Sequence, residues 1–372
     1  MDGIEQLSNE LAAGRLSRRG FLRYGALLGI SGSALVSTLA GCSSEEEPAG
    51  GGAQQERVRI GFSLPTLSQR RWQFDQKYVE EHARQKGAEV LTEAAQDDDR
   101  LQLNQVQNLV ARGIDVLILS PFNVQTAAPA VAAAKQANVP VVSYNSVVLD
   151  AEVDYWVARD NVAVGRIQAE LAVKAKPEGN YVIVSGEPGV DIAQQKTQGN
   201  MEVIKPYADR GAIKVISQEY HRAWDPALGL RQVENALSKT GNKVDAVLCN
   251  YDGFVLTALE AVQKAGLDGR TWIGGEDVFD QAAQGIVEGT VAMSAYTDLQ
   301  QMATKAVDAA LTLAAGQKPP SDATMDNGAG QIPGSRIDSY AVTKENMKKF
   351  LDETGWLTAD VVYKNVPADQ RP

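Results

Sequence analysis

Glu276, Asp277 and Asp280 place three carboxylates within the seven residues "GGEDVFD". Paired carboxylates can hydrolyse glycosidic bonds when they stand on opposite sides of the bond. Glu276 and Asp277 are adjacent, so their spacing fixes no such separation. The histidines are His82 and His221, and Cys249 lies in the apolar run "DAVLCN". That set supports neither a zinc cluster nor a Cys–His nucleophile, and Cys249 reads as a buried structural thiol. A different chemistry is open to Arg71 and Trp72 in "QRRWQFD" and to Trp224 in "RAWDP". Each tryptophan is either an ordinary core ring or a platform for the C–H face of a hydroxyl-rich molecule. Arg71 either forks onto neighbouring hydroxyls or sits in a surface ion pair. Asp252 and Asp277 follow apolar strand-like runs, where a carboxylate can accept from hydroxyls or cap the next helix.

The front of the chain carries a separate signal. Arg15, Arg18, Arg19 and Arg23 precede an apolar run from Ala26 to Gly41, which ends in "LAGC". The run is too short and too rich in Gly and Ser to cross a bilayer, which takes about 20 strongly apolar residues. A basic stretch, an apolar middle and small residues before a cleavage point form an export signal. "SRRGFL" resembles the twin-arginine type, and "LAGC" resembles a lipobox whose Cys42 is acylated as the mature N-terminus. Residues 1–41 are therefore expected to be the signal and Cys42 the lipid anchor. Residues 42–56, polar and Gly-rich, should form a flexible tether.

About 330 residues remain after Cys42, enough for two domains. The net charge of −11 argues against nucleic-acid or anionic-membrane partners, which need clustered Lys and Arg. From Arg57 short apolar runs alternate with helical stretches, the pattern of a parallel α/β sheet. "RGIDVLILSPFN" and "NKVDAVLCNYDG" share one plan: an aspartate, an apolar strand, then polar and aromatic residues at its carboxyl end. Two doubly wound lobes are expected, with ligand-facing loops at those ends and a cleft between them. The first lobe takes residues 57–160 plus 298–325 and the second 161–297 plus 326–372. Three hinge crossings join them. Asp160 and Asn161 read as hinge and helix cap, and "DDD" at 97–99 as solvated.

The chain resembles the periplasmic-type sugar-binding proteins of ABC importers (type I fold), and within them the xylose-binding branch. The likeness runs through "RIGFSLPTLSQRRWQFD", "NLVARGIDVLILSPFN", "ARDNVAVGRIQAELAV", "GNYVIVSGEPGVD", "DAVLCNYDGFVLTALEAVQKAGLDG" and "GGEDVFDQAAQGIVEGTVAMSAY". It implies two α/β lobes that close on one sugar, with first-lobe contacts at Arg71, Trp72, Asn145 and Ser146. The second-lobe contacts it implies are Asp191, Trp224, Tyr251, Asp252, Asp277 and Thr297. The xylose pattern has Asp-Arg where Asn145-Ser146 stand, Asn at Tyr251 and Lys at Thr297. A xylose-like aldose is therefore the first expectation, with a sugar alcohol or cyclitol as the alternative.

Together with the lipobox at Cys42, the resemblance implies a lipid-anchored monomer outside the cytoplasm. It would hand a monosaccharide to a membrane permease with no cofactor, metal or nucleic acid involved. A chemoreceptor-feeding sensor is compatible with the same residues. A two-lobed repressor would need a basic DNA-binding module where this chain has an export signal. A glycosidase would rest on the carboxylates at 276–280 alone.

Overall fold

Strands and helices alternate as expected from Arg59 onward, and the reason is burial. The computed structural model describes residues 57–188, 191–367, 369 and 371. The expected signal, tether and Cys42 lie outside the described residues. The first lobe opens with β1 (Arg59–Leu64), α1 (Arg70–Gln85), β2 (Glu89–Ala94) and α2 (Asp99–Ala111). It continues through β3 (Val116–Leu119), α3 (Ala128–Gln136), β4 (Val141–Asn145) and β5 (Tyr155–Arg159). The chain then crosses to α4 (Asn161–Ala175), β6 (Gly179–Ser185), α5 (Asp191–Asp209) and β7 (Ile213–Tyr220). A 3-10 turn at Arg222–Trp224 leads to α6 (Pro226–Thr240), β8 (Ala246–Cys249), α7 (Asp252–Lys264), β9 (Trp272–Glu276), α8 (Asp280–Glu288) and β10 (Met293–Thr297). It returns for α9 (Leu299–Ala314), β11 (Ala323–Asp326) and β12 (Gln331–Ile337). A last crossing leads to β13 (Ser339–Val342), α10 (Met347–Thr354) and α11 (Ala359–Val362).

The first sheet has the order β11-β12-β5-β4-β3-β1-β2 and the second β13-β10-β9-β8-β6-β7. Among the described residues all pairings are parallel except β11–β12 and β10–β13. Helices cover both faces of such sheets, so the central strands read as unbroken apolar runs. Accordingly, "VLIL" of β3 and "AVLC" of β8 are buried at every position. Each sheet has an apolar layer on either face.

The two halves share more than strand order. Asp115, just before β3, accepts from the Arg59 N–H that opens β1, at 2.9 Å. Asp245, just before β8, accepts from the Asn180 N–H at the start of β6, at 2.7 Å. The twin "ID" and "VD" of the sequence thus tie equivalent strands at equivalent places.

An aspartate stands at every crossing between lobes: Asp160, Asp298 and Asp338. Asp160 and Asp298 each cap the helix they lead into, accepting from the Ala163 and Gln301 N–H groups at 2.9 and 2.8 Å. Such a cap lets the chain leave one sheet extended and start a helix in the other lobe at once. Asp160, rather than Asn161, is the cap. Asn161 is the first helical residue, and its side chain joins Arg159 to Gln195. The third crossing falls at Asp338 instead of 325/326, because β12 continues the first sheet parallel to β5. Pro319, Pro320, Gly328, Gly330 and Pro333 make that hairpin look irregular in the sequence.

Two glycines bring α4 and α5 into backbone contact. A Cβ on Gly165 would lie 2.0 Å from the Lys196 carbonyl oxygen, and one on Gly199 would lie 2.0 Å from that of Val162. This close crossing fixes α5, and with it Lys196, against the helix that leaves the first hinge.

Candidate functional site

The carboxyl ends of the strands of both sheets face one shared cavity. Its first-lobe lining follows the strand order: Pro65 after β1, Asp97 after β2, Pro121 and Phe122 after β3, Asn145 ending β4 and Arg159 ending β5, with Gln69, Arg71 and Trp72 at the start of α1. The second lobe adds Ile192 and Lys196 from α5, Trp224 after β7, Tyr251 after β8 and Asp277 after β9. A pocket at strand carboxyl ends, shared by two lobes, suits a small ligand.

Four lining residues hold left-handed backbone: Asp97 (φ 60°), Asn145 (φ 66°), Trp224 (φ 54°) and Asp277 (φ 99°). Asn and Asp tolerate this region, but a tryptophan there is costly. All four lie at or shortly beyond strand carboxyl ends, where they line the cavity.

Arg71 is buried and donates from Nε to Asp75 at 3.1 Å; Asp75 also accepts from the Tyr144 hydroxyl. Burial opposes the guanidinium charge, but Asp75 and Asp277 outweigh it and hold Arg71 above its ordinary range. The Arg71 guanidinium lies 4.5 Å from the centre of the Trp72 ring. Arg71 Nη2 and Asn145 Oδ1 are both buried without a hydrogen-bond partner. Such groups cost free energy unless something satisfies them. One donates and the other accepts, so a hydroxyl-bearing ligand can satisfy both.

The polar floor beneath is ionic. Glu276, 1% exposed, faces Arg159 at 3.2 Å and pairs closely with Lys196, which also donates to the Asn250 carbonyl at 3.0 Å. Arg159 ends a first-lobe strand and Glu276 a second-lobe strand, so this pair joins the lobes. Burial pushes the Glu276 carboxyl up, but Arg159 and Lys196 together outweigh it and hold it low. Burial lowers both Arg159 and Lys196. Asp277 is raised, first by burial and then by Glu276 beside it.

Of the residues expected in the site, Arg71, Trp72, Asn145, Trp224, Tyr251 and Asp277 meet in this cavity. Trp72 is also part of the first-lobe core, so it packs there and lines the cavity at the same time. The other expected residues do not line it. Ser146 and Asp191 face each other from the two lobes at its margin. Asp252 is wholly buried, accepting from the Phe279 N–H at 2.8 Å and from the Ser294 hydroxyl; it braces the turn that carries Asp277. Thr297 shares a 2.6 Å hydrogen bond with Ser339 between β10 and β13.

Asp97, expected to be solvated, lines the cavity, while Asp98 caps α2. Lys196 went unread in the sequence, although it sits among Ala193, Thr197, Asn200 and Ile204 on the buried face of α5. A lone lysine on that stripe was the available signal. Phe122 carried one too, in the aromatic at the end of "LILSPFN".

Burial raises the Asp191 carboxyl to about 6, against an ordinary 3.8, and Ser146 and Lys196 offset only part of that cost. The folded state then binds its proton more tightly than the unfolded chain. The penalty is full above pH 6 and fades as the pH falls towards 4. Asp191→Asn is therefore expected to stabilise the fold at pH 7.5, by at most about 3 kcal/mol. In urea titrations the gain should vanish near pH 4; equal stability at pH 7.5 would show that the carboxyl is not penalised.

Comparison with known proteins agrees with this architecture. The periplasmic binding protein domain family matches residues 60–318. The chain is 34% identical over 304 residues to the D-xylose-binding periplasmic protein of Escherichia coli (strain K12), covering 82% of this chain and 92% of that one. It is 25% identical over 335 residues to the xylitol-binding protein of Mycolicibacterium smegmatis, covering 86% and 92%. An ABC transporter solute-binding protein from Clostridium phytofermentans, solved with bound β-D-glucose, has a TM-score of 0.74 at 25% identity, over 82% of this chain and 99% of that chain. The chain belongs to the periplasmic binding protein domain family.

Proposed function

We propose that the chain is an extracytoplasmic solute-binding protein that captures a monosaccharide, a xylose-like aldose first of all, between its two lobes. It then presents the sugar to an ABC permease while Cys42 holds it at the membrane. The observation that carries this reading is the pair of unpartnered groups in the cavity, Arg71 Nη2 and Asn145 Oδ1. They stand among rings contributed by both lobes, Trp72 and Trp224. A pyranose offers what this set lacks: hydroxyls that donate and accept in a plane, and C–H patches that cover aromatic faces. Arg71, Arg159 and Lys196 face Asp75, Glu276 and Asp277, and Asp97 adds a further carboxylate to the lining, so the cavity calls for no anionic ligand. The D-xylose-binding relative in Escherichia coli supports the aldose, and the xylitol-binding relative keeps the sugar alcohol as the alternative.

The test is a thermal-shift screen of the full chain against D-xylose, D-glucose, L-arabinose, xylitol and myo-inositol, with the bound compound recovered and identified. Binding at one hundred times the dissociation constant stabilises by about 2.7 kcal/mol. The expected result is a rise in Tm with D-xylose and recovery of the sugar unchanged. A larger rise with xylitol or myo-inositol would move the reading to a polyol. No response to any of the five would overturn it.

A further inference from the structure

Trp356 lies outside the cavity, yet it touches both of the segments that build it. Gly355, left-handed at φ 59°, ends α10 and turns the chain so that the indole N–H of Trp356 donates to the Val278 carbonyl at 2.9 Å. Val278 follows Asp277 in a turn where both residues have positive φ. That turn is held from within by Asp252 and Ser294, and Trp356 adds a hold from outside. The same indole meets Phe74 of α1, in the other lobe, with ring centres 4.6 Å apart. Phe74 follows Arg71 and Trp72 by three and two residues on that helix.

A second contact extends the first. Arg70 pairs with Asp280 across the cleft at 3.0 Å, and its guanidinium lies 5.4 Å from the Phe74 ring and 5.6 Å from that of Phe279. The contact joins Arg70 and Phe74 of one lobe to Phe279, Asp280 and Trp356 of the other. Rotation about Asp160, Asp298 and Asp338 must break it.

We infer that Trp356 and Phe74 form an interlobe clasp that biases the molecule towards closure and positions Asp277, so that part of the closing free energy is built into the protein. This rests on reading the chain as a two-lobed capture protein. A contact made in only one of two states shifts their balance by its own differential free energy, and an aromatic pair of this kind is good for a shift of about tenfold.

The test uses the full chain with Cys42→Ser and spin labels on Lys77→Cys and Lys348→Cys, both exposed and on opposite lobes; Cys249 is buried and stays unlabelled. Distances between the labels are measured first without sugar. The ligand-free chain is expected to show a short-distance population, and Phe74→Ala and Trp356→Ala should each reduce its ratio to the long one about tenfold. The double variant should be no more open than either single, because both remove one contact. Phe74 is half-buried and belongs to neither apolar layer of its sheet, so Phe74→Ala is expected to stay folded, and its Tm, measured alongside, separates loss of the clasp from loss of the fold. An unchanged distribution in Phe74→Ala, or additive effects in the double variant, would overturn the clasp. Addition of D-xylose, D-glucose or myo-inositol then reports on capture by itself. If none of them shortens the distance, the sugar reading fails while the ligand-free result still decides the clasp.

Discussion

Glu276→Gln is expected to cost about 3–5 kcal/mol of folding stability, the usual range for removing one partner of a buried ion pair. Arg159 and Lys196 are 3% exposed at their side chains and both face this carboxylate. Without its charge two cations remain buried against a neutral amide, a state that burial already disfavours for each of them. Lys196→Met in the same chain should restore part of the loss, because it removes one stranded charge and keeps the volume. The pH dependence has a definite sign. The Glu276 carboxyl is held below its ordinary 4.5, so its stabilisation is present above that value and is lost as the pH falls through the depressed folded value. Urea unfolding of the parent and the variant at pH 7 and pH 4 measures both effects. Equal stability at pH 7 would show that the three groups are not the coupled set their geometry describes.

Trp224→Ala is expected to weaken sugar binding by about 30- to 1,000-fold, the consequence of a 2–4 kcal/mol loss at an interface anchor. The chain holds Trp224 at φ 54° next to Ala223 at the same φ, a conformation that costs stability at a bulky residue. Its indole is seated with care. Tyr251 meets it edge-on at 5.6 Å and donates from its hydroxyl to the Trp224 carbonyl at 2.7 Å. Gly186 lies beneath, where a Cβ would come within 2.2 Å of the ring. Gly186→Ala should therefore act in the same direction by displacing the ring without deleting it. Calorimetric titration with the sugar that gives the largest thermal shift provides the comparison. Unchanged affinity in Trp224→Ala would remove the second lobe's ring from the grip.

The strands, their parallel arrangement and the two-lobed plan were legible because parallel sheets buried on both faces demand unbroken apolar runs. The paired aspartates before β3 and β8 announced the internal likeness, and the structure gives them matching hydrogen bonds. Loops at strand carboxyl ends could also be anticipated, whereas it is the family resemblance that groups Trp72, Asn145, Tyr251 and Asp277 as contacts there. Depth was not legible. Asp252 and Asp277 look alike in the sequence, each a carboxylate just past an apolar strand. Asp252 turns inward to hold the Phe279 N–H, and Asp277 opens to the cavity. Lys196 was missed because its role depends on a helix crossing set by Gly165 and Gly199, far apart in the chain. The last hinge was misplaced for a similar reason. The partner of β12 is β5, more than 170 residues earlier, and local glycines and prolines hid a strand that long-range pairing creates.

Crystallisation of the chain with its tightest-binding sugar tests the shared grip most directly. The sugar should lie between Trp72 and Trp224, with hydroxyls on Arg71 Nη2, Asn145 Oδ1 and the Asp277 carboxylate. A sugar held by one lobe alone, with both tryptophans remote from it, would contradict the account.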